Sequence, residues 1–233
     1  MILSVIVPAH NEGRTLRAAV ERLRAAALPV TLEVIGVDDG STDDTAEIFE
    51  ALQREGACQQ LLRHGVRQGK GAAVRLAIPA TSGDVVVVQD ADLEYDPADL
   101  APMLALLQQQ SADAVCGTRF GSGARTVLFF WRSIANRALT LWCNAFCNLN
   151  LSDVNCGYKL VRGELLRSLP LRSRGFTIEV ELVTRLAVRG ARIWEVPVTY
   201  AGRRNGDGRK TRWWHALEQA WAIPRFHFRT KRS

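Results

Sequence analysis

Apolar and polar positions change in regular blocks through residues 1–120. ILSVIVP is a dense apolar run that stops at Pro8 and predicts a first strand. EGRTLRAAVERLRAAAL switches to helical spacing, with Leu16, Val20, Leu23 and Ala27 on one face. TLEVIGV predicts a second strand that runs into DDGSTDDT, and a helix follows over 44–54. CQQLLRH is a weaker third strand, and QGKGAAVRLAI opens on glycines and turns helical. DVVVVQ is a fourth strand, PADLAPMLALLQQQ a helix, and ADAVCGTRF a fifth strand and loop. Such alternation predicts an α/β fold: a mostly parallel, doubly wound sheet with helices on both faces.

The second half is less regular. FFWRSIANRALTLWCNAFCNL and GFTIEVELVTRLAVRG predict two helices, the second stopped by Gly190. ARIWEVPVTY predicts a strand. TRWWHALEQAWAIP is amphipathic, with Trp214, Leu217 and Trp221 aligned. The pattern divides the chain into 1–200, itself split at 118/119, and a basic loop with an amphipathic segment over 201–233.

With 233 residues, 47% of them hydrophobic, the chain supports a sizeable core. The cysteines at 58, 116, 143, 147 and 156 are odd in number and form no C-x-x-C, which suits reduced, structural thiols in a cytosolic protein. The first residues lack a charged leader pattern, and no apolar run reaches membrane-spanning length. Net charge changes the picture more. Between Gly202 and Ser233, nine Lys/Arg against two Asp/Glu give +7, and the remaining 21 against 22 give −1. A basic C-terminal segment suits nucleic acid, an anionic membrane or a phosphorylated substrate.

The chemistry collects at strand ends. VVVVQDADLEYDP runs from a dry strand straight into Asp90, Asp92, Glu94 and Asp96. Ligands of open α/β sheets sit outside the carboxyl ends of strands, so these acids fall where a ligand belongs. Asp96 before Pro97 has the pattern of a helix N-cap. Asp90 and Asp92 suit a hard divalent cation or a ligand. PAHNE, DDGSTDD and GTRF end other strands, which places them on the same rim. A phosphorylated nucleoside fits there, with Arg119 on phosphate. Ser41 to Asp44 also fit a helix cap. Neither a dinucleotide nor a P-loop fingerprint is present. His10, His64, His215 and His227 lack metal spacing, and His10 is expected to line the pocket.

Together SVIVPAHNE, VDDGSTDDT, GKGAAVRLA, VVVVQDADLEYDPADL, GTRF and NCGYKLVR, in this order and spacing, resemble family 2 glycosyltransferases of the glycosyltransferase-A fold. EVPVTYAGRRNGDGRKTRW is similar to the dolichyl-phosphate mannose synthase-like, polyprenyl-phosphate hexose synthase branch, although RRNGDGRK replaces that branch's usual aromatic–acid–acid pattern. The likeness covers about residues 2–225. It implies a nucleotide-sugar-binding half over 1–118 and an acceptor half over 119–200. Pro8, Ala9 and Glu12 would line the nucleotide pocket, Asp39 would meet the base with Val37 behind it, and Lys70 would join the donor site. Asp90 and Asp92 would hold Mg²⁺ or Mn²⁺ against the diphosphate with Glu94 as a third oxygen ligand. Ala91 would leave room for the sugar. Arg119, Arg132, Arg203 and Lys210 would surround donor and acceptor phosphates, and Asp207 would contact the donor. Asp92, Arg119, Arg132 and Lys210 would carry the catalytic charge stabilisation.

The implied activity is an inverting, metal-dependent transfer of a hexose from GDP-mannose, UDP-glucose or UDP-N-acetylglucosamine to a polyprenyl phosphate. The acceptor oxygen is already anionic, so it needs cations rather than a general base. A hydroxyl acceptor would need a base, and Glu179 is the candidate. A lipid-phosphate acceptor also gives the tail a purpose. Trp213, Trp214, Trp221, Phe226 and Phe228, beside Arg212, Arg225, Arg229, Lys231 and Arg232, resemble an interfacial helix with a polybasic end. A cytoplasmic enzyme peripheral on the inner membrane face is therefore expected. Nucleic acid is not the expected partner, because metal-free acids at the strand ends repel phosphate. A sugar-phosphate nucleotidyltransferase would show a glycine-rich basic loop after strand 1, which PAHNEGRT does not supply.

Overall fold

A computed structural model describes residues 1–121, 130–202 and 214–230, except the side chains of 229 and 230. The elements are β1 (Ile2–Ala9), α1 (Leu16–Ala25), β2 (Thr31–Asp39), α2 (Thr45–Arg54), β3 (Gln60–His64), α3 (Lys70–Ala77), β4 (Val85–Val88), α4 (Leu100–Gln109), β5 (Ala114–Thr118), α5 (Phe130–Cys147), β6 (Lys159–Arg162), α6 (Gly163–Ser168), α7 (Ile178–Val188), β7 (Ile193–Pro197) and α8 (Trp214–Thr230). The strands form one sheet in the order β3-β2-β1-β4-β6-β5-β7. β3, β2, β1 and β4 run parallel, as do β5 and β7, while β6 lies antiparallel between β4 and β5. The sheet is thus mostly parallel, as the alternating pattern predicts, and a C-terminal helix follows it.

The apolar runs become central strands because both sheet faces are covered. Val5 and Val7 face one core layer with α1, α2 and α4. Ile6, Ile35 and Val86 face another, with α3 and α7. Leu16, Val20 and Leu23 are buried as the helical spacing predicts. Ala27 is not, because α1 stops at Ala25 and leaves it exposed. Asp96 caps the turn at Pro97 by accepting from Ala98 N at 3.0 Å.

β6 and α6 have no counterpart among the predicted elements. KLVR is too short to show alternation, and its Lys159 is buried. α8 packs on α5 and α7, and Ala222, Ile223 and Phe226 join a third core cluster. Residues 214–230 are therefore part of the same body as the sheet. Phe226, expected at a membrane surface, is buried instead, with the Arg185 guanidinium 5.4 Å from its ring centre. All five cysteines are buried and unbridged. Burial pushes the Cys116 and Cys156 thiols up to about 12, which keeps them un-ionised.

Candidate active site

Strands β2, β1 and β4 end on one rim and place their trailing residues around a cleft of about 690 Å³. That lies within the ~300–1,000 Å³ typical of small-molecule sites. Pro8, Ala9, Glu12, Asp39, Lys70, Asp90, Ala91, Asp92 and Glu94 all line it, and so does His10. Val37 does not. It is fully buried among the residues under β2, two positions before Asp39 and on the same strand face, so it supports the site from below.

Asp39 is held by its own chain. It accepts from Gln68 N at 2.9 Å and Gly69 N at 2.7 Å, and His64 Nδ1 lies 2.7 Å from it. A carboxylate offers about four lone-pair sites, so roughly one remains for a ligand N–H.

The acidic loop is fixed by tyrosines. Leu93 takes a left-handed conformation, φ 61°, and Glu94 N donates to Asp92 Oδ1 at 3.1 Å. Tyr95 stacks on Tyr158 at 4.8 Å and lies 5.2 Å from the Tyr200 ring. Its hydroxyl accepts from Gly157 N at 2.9 Å. Tyr200 donates to Glu94 at 2.7 Å. Gly157 of the NCGYK segment leaves necessary space, since a Cβ there would stand 3.1 Å from Asp90 Oδ2 and 3.0 Å from Tyr95.

Behind the loop runs a chain of alternating charges. Lys70 Nζ is 2.8 Å from both Asp90 oxygens and 2.9 Å from Glu179 Oε1. Glu179 Oε2 lies 2.7 Å from Lys159 Nζ. Burial alone would raise the Glu179 carboxyl, but Lys159 and Lys70 outweigh it and hold the group below its usual range. A carboxylate clamped by two ammonium groups is a counter-ion rather than a ready proton acceptor.

Among the described residues, no three His, Cys, Asp or Glu side chains converge as a closed metal cage. Glu94, expected as a third ligand, is engaged by Tyr200. Asp90 and Asp92 nevertheless fit Mg²⁺ or Mn²⁺. Magnesium is commonly held by one or two carboxylates plus substrate phosphates, and it keeps several waters. The Lys70 ammonium already sits as a cation on Asp90.

Arg119 is occupied in a way its sequence context does not reveal. It forms a two-pronged pair with the buried Asp153, Nε–Oδ2 2.7 Å and Nη2–Oδ1 2.9 Å. It does not line the cleft, and its position is set by Asp153. Arg132 is exposed on α5, also away from the cleft lining. Arg203, Asp207, Lys210, Arg212, Trp213, Lys231, Arg232 and the Arg229 side chain lie outside the described residues. Arg67, Gln68, Phe176 and, from α8, His215 and Glu218 complete the cleft, together with Trp214. Arg67 is not among the expected residues; its place after β3 and just before the glycines of QGKG is the signal that could have pointed to it. Nothing local marks α8 as a cleft wall.

A polar cleft with paired aspartates, set at the strand ends of a mostly parallel sheet, is the feature to compare with known proteins. Residues 4–169 match the family described as "Glycosyl transferase family 2", and the chain belongs to that family. It is 31% identical over 218 residues to the undecaprenyl-phosphate mannosyltransferase of Micrococcus luteus, covering 90% of this chain and 87% of that protein. It is 28% identical to the dolichol-phosphate mannosyltransferase of Pyrococcus furiosus, covering 90% of this chain but 59% of that longer protein. Glucosyl-3-phosphoglycerate synthase from Mycobacterium tuberculosis, solved with UDP, superposes with a TM-score of 0.71 at 24% identity, over 98% of this chain and 79% of that one. The same enzyme has been solved with Mn²⁺ and UDP-glucose, at TM-score 0.69 and 25% identity, over 98% and 77% of the two chains. The chain is thus a glycosyltransferase whose relatives include polyprenyl-phosphate sugar enzymes.

Proposed function

We propose that this glycosyltransferase moves a hexose from a nucleoside-diphosphate sugar to a polyprenyl phosphate by one inverting displacement that depends on Mg²⁺ or Mn²⁺. The observation that carries the reading is the cleft at the ends of β1, β2 and β4, where Asp39 and the Asp90/Asp92 pair face one space. Pro8, Ala9 and Glu12 flank the nucleoside, Asp39 accepts a base N–H, and Ala91 leaves room for the sugar. The donor is GDP-mannose, UDP-glucose or UDP-N-acetylglucosamine. A relative with 87% of its length covered is a mannosyltransferase acting with undecaprenyl phosphate by name, which supports the acceptor class.

In the reaction the sugar C1–O bond to the diphosphate breaks, and a new C1–O bond forms to the acceptor phosphate on the opposite face. The acceptor oxygen is anionic, so no proton need be removed. The electron pair goes to the leaving diphosphate; a divalent cation held by Asp90 and Asp92 would supply neutralising charge there. Lys70, in the lining of the same cleft, adds a second positive charge. The clamped state of Glu179 favours this acceptor over a hydroxyl.

The acceptor sits in a membrane, and the surface is suited to meet one. Trp131, Leu141 and Trp142 of α5 are exposed, as are Leu217, Trp221 and Phe228 of α8. The two helices are joined by Trp142 Nε1 donating to Ala220 O at 3.0 Å. No described helix is long and apolar enough to cross a membrane. A peripheral enzyme on the cytoplasmic face fits this apolar surface beside a basic segment.

Calorimetric titration with the three donors, in Mn²⁺ and again in EDTA, tests the reading. One donor binding only with metal is expected. Failure of all three to bind folded protein overturns it.

A further inference from the structure

We propose that Lys70 is an internal stand-in for the metal: its ammonium neutralises Asp90 while metal and donor are away, and yields to them together. The inference rests on Asp90 being a metal ligand.

The geometry carries it. Lys70 Nζ contacts both Asp90 oxygens at 2.8 Å, so it covers the atoms a divalent cation needs. Its backbone is pinned at the first residue of α3. Gly69 has φ 104°, and a Cβ there would stand 2.6 Å from Arg174 O. A Cβ on Gly71 would meet Ser173 O at 2.6 Å, and Ala72 N donates to Arg174 O at 2.9 Å. Only the side chain is therefore placed to move.

The ammonium also has somewhere to stay. Glu179 holds it at 2.9 Å from behind, and Lys159 holds the second Glu179 oxygen at 2.7 Å. Lys159 in turn donates to the Cys156 carbonyl. The four charges sum to zero, and their side chains are between 2% and 20% exposed. A divalent ion on Asp90 would place a like charge beside the ammonium, a strong repulsion in so enclosed a place. Metal alone must displace Lys70 against this balance. Metal arriving with a diphosphate gives Lys70 new oxygens to bind, because Lys70 lines the same cleft. Metal and nucleotide therefore strengthen each other's binding, by reciprocal factors. Glu179 is a positioning residue in this scheme, acting through Lys70.

The test is a Mn²⁺ titration of the full chain, read by the paramagnetic resonance of free Mn²⁺, without nucleotide and with UDP or GDP, whichever the chain binds; UDP stands for that nucleotide below. Wild type is expected to bind Mn²⁺ weakly alone and at least about tenfold more tightly with UDP. Lys70→Met is expected to bind Mn²⁺ alone at least about tenfold more tightly than wild type and to lose most of the synergy. Lys70→Arg, which keeps the charge, is expected to behave as wild type. Glu179 keeps Lys159 in the Met variant, and Lys70→Gln serves as a second neutral variant if Met does not fold. Mn²⁺ should also raise the Tm of the neutral variant more than that of wild type. A neutral variant that binds Mn²⁺ alone no better than wild type, while wild type binds it with UDP, overturns this inference and leaves the metal reading standing. Absence of Mn²⁺ binding by wild type with UDP and also with GDP overturns the metal reading itself.

Discussion

Arg119 grips Asp153 through three donors, Nε at 2.7 Å, Nη2 at 2.9 Å and its backbone N at 3.1 Å, with Asn136 adding a fourth bond at 2.9 Å. The arginine just after β5 is thereby tied to the loop before β6, and its position follows from a residue far along the chain. Burial alone would raise the Asp153 carboxyl, but Arg119 outweighs it and holds the group below its ordinary 3.8. A depressed carboxyl contributes stability above its unfolded-state value and loses it as pH falls through the folded one. Asp153→Asn should therefore cost about 3–5 kcal/mol at pH 7. The gap to wild type should narrow below about pH 4. Urea unfolding at pH 7 and pH 3 measures it, and an unchanged gap would contradict the pairing.

Asp92→Asn should abolish the Mn²⁺-dependent binding of the donor nucleotide. The rate of transfer should fall by about 10²–10³, as when one charge-stabilising group is removed from a reacting centre. Equal UDP affinity in Mn²⁺ for variant and wild type would remove Asp92 from the metal site.

Gly157→Ala inserts a Cβ 3.0 Å from Tyr95 and 3.1 Å from Asp90 Oδ2. The neighbours must give by a few tenths of an ångström, and the acidic loop is what moves. Mn²⁺-dependent UDP affinity should drop by about tenfold, the scale of a small misplacement at a metal site. A Tm loss without any change in affinity would show that the glycine serves packing alone.

Glu179→Gln separates the two acceptor classes. With a polyprenyl phosphate, the acid limb of kcat/KM against pH should keep its place, since no base is lost. Removal of a general base would cost about 10²–10⁴ in rate and would remove that limb.

Trp131→Ser combined with Trp221→Ser takes two exposed rings off the α5/α8 surface. Sedimentation with anionic vesicles should fall by about tenfold or more, while UDP binding in solution stays unchanged. Undiminished vesicle binding would assign those rings to another surface.

Most of the fold and the rim was readable before any coordinates. VVVVQDADLE announces both a buried strand and its trailing acids, because β-branched runs and charge clusters are local signals. The cleft gathers Pro8, Asp39, Asp90 and Asp92 as the strand-end pattern predicts, with Lys70 from the start of α3 beside them. What stayed hidden depends on contacts between distant segments. Four residues of KLVR cannot reveal an antiparallel strand wedged between β4 and β5. Arg119 looks like a phosphate ligand until Asp153 is seen beside it. Glu179 looks like a base until Lys70 and Lys159 are seen clamping it. α8 reads as a surface helix, yet its first turn walls the cleft and Phe226 enters the core.

The central claim is metal-dependent sugar transfer to a lipid phosphate. Its most direct measurement incubates the protein with each radiolabelled donor, a polyprenyl phosphate in detergent, and Mn²⁺ or EDTA, and then counts label extracted into organic solvent. The account predicts labelled lipid from one donor in Mn²⁺, none in EDTA, and none with a polyprenyl alcohol in place of the phosphate. Label transferred equally well to the alcohol, or equally well in EDTA, would contradict it.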